Sequence, residues 1–390
     1  MFKIPQKIEY VIENLCKNGF EAYIVGGCVR DMLLGSIPHD FDVTTSAKPH
    51  EIQAIFKKTV PTGIKHGTIT VIVDGTPVEV TTFRKESEYK DHRRPDSVEF
   101  VSDLAEDLSR RDFTVNAFAY NNSIGLVDYF NGKTDLENKI LRAVGEPQKR
   151  FNEDALRILR LFRFASVLGF SCEEKTLNAA IEYSKTLKSI SSERIFTELY
   201  KAVTGENFAL FSPLIDCGGL EFLSIKNNPD YSLIKKLRHN TNLAFFGFIY
   251  LSGADIPAVL KKLKVSNKLY DYCLNIEKLL KTNLPQTKPA IKKLLCNFST
   301  SIFKDMLFFR KEVYHENTLE TEELFSQVLK DHEPYLVSHL EIDGKKIMEM
   351  GFSGKEVGKV LQYLQEIIIN DPNKNNREIL IKEIEKINRN

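Results

Sequence analysis

An α+β head followed by an all-helical remainder is the fold class this sequence predicts, and three observations predict it. Over the first 140 residues, apolar positions recur now at every second residue, now at the 3.6-residue helical period. Beyond about residue 140 the two-residue period stops, and i, i+3, i+4, i+7 spacing takes over. Chain-breaking spots at Gly218-Gly219, 283–289 and 371–376 divide those helices. A chain of 390 residues, 42% hydrophobic and 27% charged, is long enough for two or more cores.

The elements follow in order. The N-terminal MFKIPQKIEYVIENLCKNGF has a helical period and internal charges. EAYIV is a short apolar strand, and FDVTT is a second. PHEIQAIFKK reads as a helix. GTITVIVDGTPVEVTTFR is a hairpin turning at Asp74-Gly75, a pair suited to a tight turn. SIGLVDYFNGKTDLENK gives a strand, a turn at Asn131-Gly132 and a helix start. NEDALRILRLFRFASVLGF, EEKTLNAAIEYSKTL and SERIFTELYKAV then carry helical spacing.

Composition excludes several classes. The N-terminus lacks the uninterrupted apolar stretch of a signal peptide, and no run reaches membrane-spanning length, so no membrane partner is expected. The six cysteines are scattered with no CxxC pair. They read as reduced thiols of a cytoplasmic protein, not as a disulfide frame or a zinc site. Net charge is +1 and argues for no partner by itself. From Lys261 to Lys293, however, nine lysines face two acids, Asp271 and Glu277. That segment is either a solvated helical face or a phosphate-backbone patch.

Chemistry concentrates in GGCVRDMLLGSIPHDFDVTT, residues 26–45. In a strand, residues i and i+2 face the same way with Cα atoms roughly 6–7 Å apart. Asp40 and Asp42 therefore project together and repel unless a cation lies between them, and Mg²⁺ prefers such oxygen ligands. Glu79, flanked by valines, is either an exposed edge-strand acid or a third carboxylate beside them. Gly26-Gly27, between a strand and a helical segment, forms either a plain turn or a phosphate seat, to which Arg30 adds a charged fork.

That stretch resembles the signature of class II nucleotidyltransferases of the polymerase-beta superfamily, the family of bacterial CCA-adding enzymes (tRNA nucleotidyltransferases) and bacterial poly(A) polymerases. SRRDFTVNA (109–117) resembles the family's RRDFTxNA motif, and DYFNGKTDLENKILRAVG its head-to-neck connection. FNEDALR (151–157) resembles the EDxxR helix, and SERIFTEL (192–199) the neck motif that follows. Five motifs thus stand in family order over residues 22 to about 200. The segment 342–380 resembles the tail of CCA-adding enzymes more loosely.

The resemblance implies a polymerase-beta-like head with a mixed sheet (1–140), a base-recognising neck (141–200), a helical body (201–283) and a tRNA-binding tail (284–390). By it, Asp40 and Asp42 hold catalytic Mg²⁺, with Glu79 in support. Gly27 and Arg30 contact the triphosphate, and Arg111, Asp112 and Asn116 hold the phosphates and ribose of the incoming nucleotide. Taken alone, Arg110-Arg111 would be a solvated charge pair and Asn116 a helix-surface amide.

Asp154 and Arg157, three apart, are expected side by side on one helical face. They are either an intrahelical ion pair or an acceptor–donor edge that reads a base. Cytosine and adenine donate an amino N–H and accept at a ring nitrogen. Uracil and guanine present a carbonyl where the amino group is needed, leaving buried polar groups unpaired. Glu153 orients Arg157 by the family pattern. Arg160 and Arg163 extend the stripe toward RNA phosphates or the triphosphate, or pair with acids of the fold.

The charged stretch 84–100 reads as a surface loop. In this family, CC-only enzymes lack part of it, so its completeness favours an enzyme that incorporates A. The expected reaction is addition of C, C and A to tRNA from CTP and ATP. The alternatives are an A-adding specialist, a poly(A) polymerase, or a non-catalytic RNA-binding protein on the same scaffold. Asp331-His332 is reversed in order and Arg238-His239-Asn240 lacks the acid, so no phosphohydrolase activity is expected. The lysine-rich segment and the tail are expected to grip the acceptor stem and elbow of tRNA through phosphate and 2′-OH contacts.

Overall fold

The computed structural model describes residues 2–38, 40–86 and 98–387. The chain forms two compact units, Met1–Val265 and Ser266–Asn390.

The first unit begins with α1 (Gln6–Lys17), whose buried Ile8, Val11, Ile12 and Leu15 realise the predicted helical stripe. Strand β1 (Ala22–Val25) is buried at all four positions, as a central strand covered on both faces must be. After it come α2 (Gly27–Leu33), β2 (Asp42–Thr45) and α3 (Pro49–Ile55). Three further strands follow, β3 (Thr59–Gly63), β4 (Thr68–Val73) and β5 (Thr76–Thr82). Asp74 and Gly75 turn the β4–β5 hairpin with φ of 46° and 77°, the left-handed pair a two-residue loop requires.

A short ladder of β6 (Arg84–Glu86) with β7 (Val98–Phe100) leads to α4 (Leu104–Ser109). The loop expected at 84–100 is thus rooted in paired strands, and its middle, 87–97, lies outside the described residues. Strands β8 (Ala119–Asn121) and β9 (Gly125–Val127) and α5 (Gly132–Glu137) complete the head. Seven strands form one mixed sheet, ordered β3-β4-β5-β2-β1-β8-β9. Its one parallel pair is β2 with β5. Because β5 lies between β4 and β2, Glu79 is exposed but not on an edge strand, contrary to that reading of it.

The remainder is helical with one exception. β10 (Ile140–Leu141) pairs in parallel with β11 (Ser171–Cys172), so the two-residue period does not end entirely at 140. Two residues are too few to show a period in sequence. Helices α6 (Pro147–Glu153) and α7 (Leu156–Leu168) precede β11, and α8 (Glu174–Glu182) and α9 (Ser192–Ala202) follow it. The expected single helix through 152–170 is broken at Asp154, which is extended (φ −141°, ψ 103°). Its Oδ1 accepts the Leu156 N–H at 3.1 Å, the local bond by which an aspartate starts a new helix. Asp154 and Arg157 therefore do not share one helical face.

In the second unit, Ile347, Leu364, Ile368, Leu380 and Ile384 form a core beneath the C-terminal helices. The lysine-rich segment does not act as one solvated face. Lys292 is 1% exposed and bonds Glu333 at 2.8 Å, and Lys288 bonds the same carboxylate at 2.7 Å. Among the described residues, no helix is long and apolar enough to cross a membrane. None of the six cysteines is in a disulfide.

Candidate active site

The candidate site is a cleft of about 500 Å³ in the first unit. Its construction begins at the end of β1. The register Val25↔Asp42 brings the start of β2 beside the turn that leaves β1. That turn is Gly26, with φ 78° and ψ −129°, a conformation open essentially to glycine alone. A β-carbon there would stand 2.8 Å from Nη1 of Arg111, so the missing side chain also gives Arg111 its place.

From α2, Arg30 is buried rather than free in the cleft. Its Nη1 donates to Asn116 Oδ1 at 2.6 Å, and Nε and Nη2 donate to Asp31 Oδ1 at 2.9 and 2.7 Å. Asn116 in turn donates to Asp112 Oδ1 at 3.1 Å, so neither it nor Asp112 is a surface group. Asp112 Oδ2 accepts from Arg160 at 2.7 Å. Burial would raise the Asp112 carboxyl, but Arg160 and the Asn116 amide outweigh it and hold it down to about 2. Arg160 also approaches Glu198 at 3.7 Å, and Arg163 donates to Glu198 at 2.8 Å. The Phe164 ring lies beneath three guanidiniums, with Arg30, Arg160 and Arg163 at 5.1, 5.2 and 3.5 Å from its centroid. Arg160 and Arg163 thus pair with acids of the fold while still lining the cleft.

Arg110 and Arg111 are no solvated pair. Both bind the fully buried Asp107, at 2.7 and 3.4 Å. Burial works against that carboxylate, and the two arginines outweigh it and hold it below its usual range. Arg157 donates to Glu153 at 2.6 Å and to the Arg110 carbonyl at 2.8 Å. Asp154 is held by Arg194 instead, at 2.7 and 3.2 Å.

The cleft lining therefore brings together Gly27, Arg30, Asp42, Arg111, Asp112, Asn116, Asp154, Arg157, Arg160 and Arg163. Arg110 and Arg194 join them, giving seven arginines against Asp42, Asp112 and Asp154 among the lining residues, a balance suited to a polyanion. Asp40, Glu79 and Glu153 are not in the lining. Glu153 lies behind Arg157. Extending the register Val43↔Val80 by one residue sets Glu79 beside Asp42 on the neighbouring strand.

Asp42 is exposed, yet the cleft walls displace enough water to raise its carboxyl; Arg111 opposes the rise and Asp40 adds to it. Two carboxylates in mutual repulsion suit a hard divalent cation. Mg²⁺ takes one or two carboxylates and completes its shell with water and phosphate oxygens. Asp40 and Asp42, with Glu79 on the neighbouring strand, offer the carboxylate oxygens that pattern calls for.

Sequence reasoning assigned no role to Asp107, Phe164, Arg194 or Glu198. For the last two a signal existed, because Arg194 and Glu198 are four apart and share a face of α9.

The family described as Poly A polymerase head domain matches residues 22–142. A second, described as Probable RNA and SrmB- binding site of polymerase A, matches residues 169–224. A CCA-adding enzyme of Lactococcus lactis is 38% identical over 99% of this chain and 98% of its own length. One from Pediococcus pentosaceus is 39% identical over 98% and 99%. Among solved structures, the Bacillus stearothermophilus CCA-adding enzyme in complex with CTP superposes with a TM-score of 0.80. It is 30% identical, covering 98% of this chain and 97% of that one.

Proposed function

The chain belongs to the family of CCA-adding enzymes, and from that premise we propose that it adds C, C and A to the 3′ end of tRNA, drawing on CTP and ATP and releasing pyrophosphate. The observation that carries the reading is that one cleft joins Asp42, the arginine cluster and the Asp154/Arg157 pair.

In this reading, Arg111 and the guanidiniums around Phe164 bind the triphosphate, whose charge they match. Asp112 and Asn116 keep Arg30 and Arg160 in place through their hydrogen bonds. Asp40 and Asp42 would hold Mg²⁺, with Glu79 beside them. When bound, the ion supplies charge neutralisation at the phosphates and activation of the RNA hydroxyl. The chain's own contribution is alignment: it holds the α-phosphate and the base at the same time. Asp154 accepts the exocyclic amino N–H of cytosine or adenine, and Arg157, steadied by Glu153, donates to the ring nitrogen.

The head (1–140) then carries the phosphates and the neck (141–200) the base. Within the body (201–283), the residues up to Val265 pack on the neck, and the tail (284–390) grips tRNA by its sugar–phosphate backbone. Relatives that match this chain over nearly its full length are CCA-adding enzymes, which favours the complete reaction over A-only or poly(A) addition.

The test supplies CTP and ATP separately and together to tRNA ending at the discriminator base, to tRNA ending in CC, and to unstructured RNA. Three added residues on the first and one on the second are expected. Growth limited to the CC-ended substrate, or long tails on unstructured RNA, would overturn the proposal.

A further inference from the structure

Asp154 carries a carboxylate with about four acceptor positions, two on each oxygen. Three are already filled. Oδ1 accepts the Leu156 N–H at 3.1 Å and Nη1 of Arg194 at 3.2 Å. Oδ2 accepts Nη2 of Arg194 at 2.7 Å. One acceptor position is left, and it is on Oδ2. Arg194 reaches this carboxylate from the first turn of α9, a helix packed along α7. On the same face one turn on, Glu198 binds Arg163. Arg194 is itself part of the cleft lining.

We propose that Arg194 is a specificity-determining positioning residue, which presents Asp154 to the base as a single acceptor on Oδ2. The proposal rests on Asp154 reading the base. A planar guanidinium that bonds both oxygens fixes the rotation of the carboxylate about its own axis. A carboxylate held in that rotation offers the cleft one acceptor and no donor. Cytosine and adenine, each offering an amino N–H, fill the one open position. Uracil and guanine bring a carbonyl oxygen to an oxygen that has nothing to donate. Without the fork, the carboxylate can rotate and swing its acceptor away from the amino position, so an amino-bearing base loses its advantage over a carbonyl-bearing one. Arg157 would still face the N3–H of uracil, so the relaxation is partial.

The experiment measures kcat/KM for CTP, ATP, UTP and GTP on tRNA, with Arg194→Met, Arg194→Lys and Asp154→Asn beside the parent. Arg194→Met is expected to lower the CTP:UTP and ATP:GTP ratios by about 10–100-fold, equivalent to one or two powers of ten in binding discrimination. Arg194→Lys keeps the charge but not the fork, and is expected to retain an intermediate ratio. Should Arg194→Met not fold, the Lys variant still reports, because a partial loss of selectivity remains predicted for it. A uniform fall for all four nucleotides would show a merely structural role and overturn the proposal. Full selectivity in Arg194→Lys would overturn the role of the fork. Asp154→Asn separates the premise: unchanged ratios there defeat base reading by Asp154 itself. Relaxed ratios in Asp154→Asn with unchanged ratios in Arg194→Met defeat only Arg194.

Discussion

Arg111 lies so close over Gly26 that a β-carbon on residue 26 would stand 2.8 Å from its Nη1. The turn at the end of β1 and the arginine eighty-five positions later were shaped for one another. Gly26→Ala should both strain the backbone, at about 1–3 kcal/mol, and displace Arg111. Melting should fall, and KM for both nucleotides should rise about tenfold or more. Steady-state kinetics with CTP and ATP check this, and an unchanged KM would mean that Arg111 does not meet the nucleotide.

Asp42 separates activity from stability. Its carboxyl is raised by burial and by Asp40, with Arg111 in opposition. An acid whose folded value lies above its unfolded one destabilises the fold once ionised. Asp42→Asn should therefore leave melting at pH 7 equal or higher. Nucleotide addition should drop about a thousandfold, the rate equivalent of several kcal/mol of lost charge stabilisation. Persisting activity in this variant would refute the metal assignment.

Asp112 carries the opposite sign. Its folded value of about 2 lies below the ~3.9 of an unfolded aspartate. Its contribution is fully present above about pH 4 and is lost as the pH falls toward 2. Asp112→Asn should cost about 2 kcal/mol at pH 7, and the gap from the parent should close between pH 4 and 2. Chemical denaturation across that window gives the answer, and a gap independent of pH would contradict the charge argument.

Phe164 tests the aromatic floor. Phe164→Leu keeps an apolar side chain but removes the ring from beneath Arg30, Arg160 and Arg163. The loss is expected at about 1 kcal/mol. It should appear as a severalfold rise in nucleotide KM, larger than the change in affinity for tRNA measured without nucleotide.

Lys292 divides structure from RNA binding. Lys292→Ala should destabilise the chain by about 2–3 kcal/mol, somewhat less than for a fully orphaned buried charge, because Glu333 keeps Lys288. The exposed Lys261 and Lys268 should leave melting unchanged when replaced by alanine. Their loss should instead lower the salt dependence of tRNA binding by just under one unit of slope each.

Much of the head was legible in the sequence. Strand periodicity gave β1, β2 and the β4–β5 hairpin; Asp74-Gly75 marked the hairpin turn, and Asn131-Gly132 the turn into α5. The parallel pairing of β2 with β5 was not legible, because no local pattern specifies which strand a hairpin docks beside. That pairing is also what keeps Glu79 off the sheet edge. The break at Asp154 was masked by helical spacing that continues through it, and by the absence of any Gly or Pro. The aspartate itself was the available signal, since Asp favours the start of a helix. For the candidate site, residue types were legible and partners were not. Arg30 with Asn116, Arg160 with Asp112 and Asp154 with Arg194 are separated by 86, 48 and 40 residues, so only the fold could pair them.

The bond from Arg157 to the carbonyl of Arg110 joins the base end of the cleft to the residue next to Arg111. In the proposed reaction this makes the cleft a caliper with fixed jaws, set to the length of one nucleotide. A base that does not fit its jaw cannot be accommodated by letting that jaw drift, because the phosphate jaw is attached to it. The misfit moves to the reacting end, where a displacement of about 1 Å can cost a hundredfold in rate. An error in hydrogen bonding at the base would thereby become an error of alignment at the phosphorus.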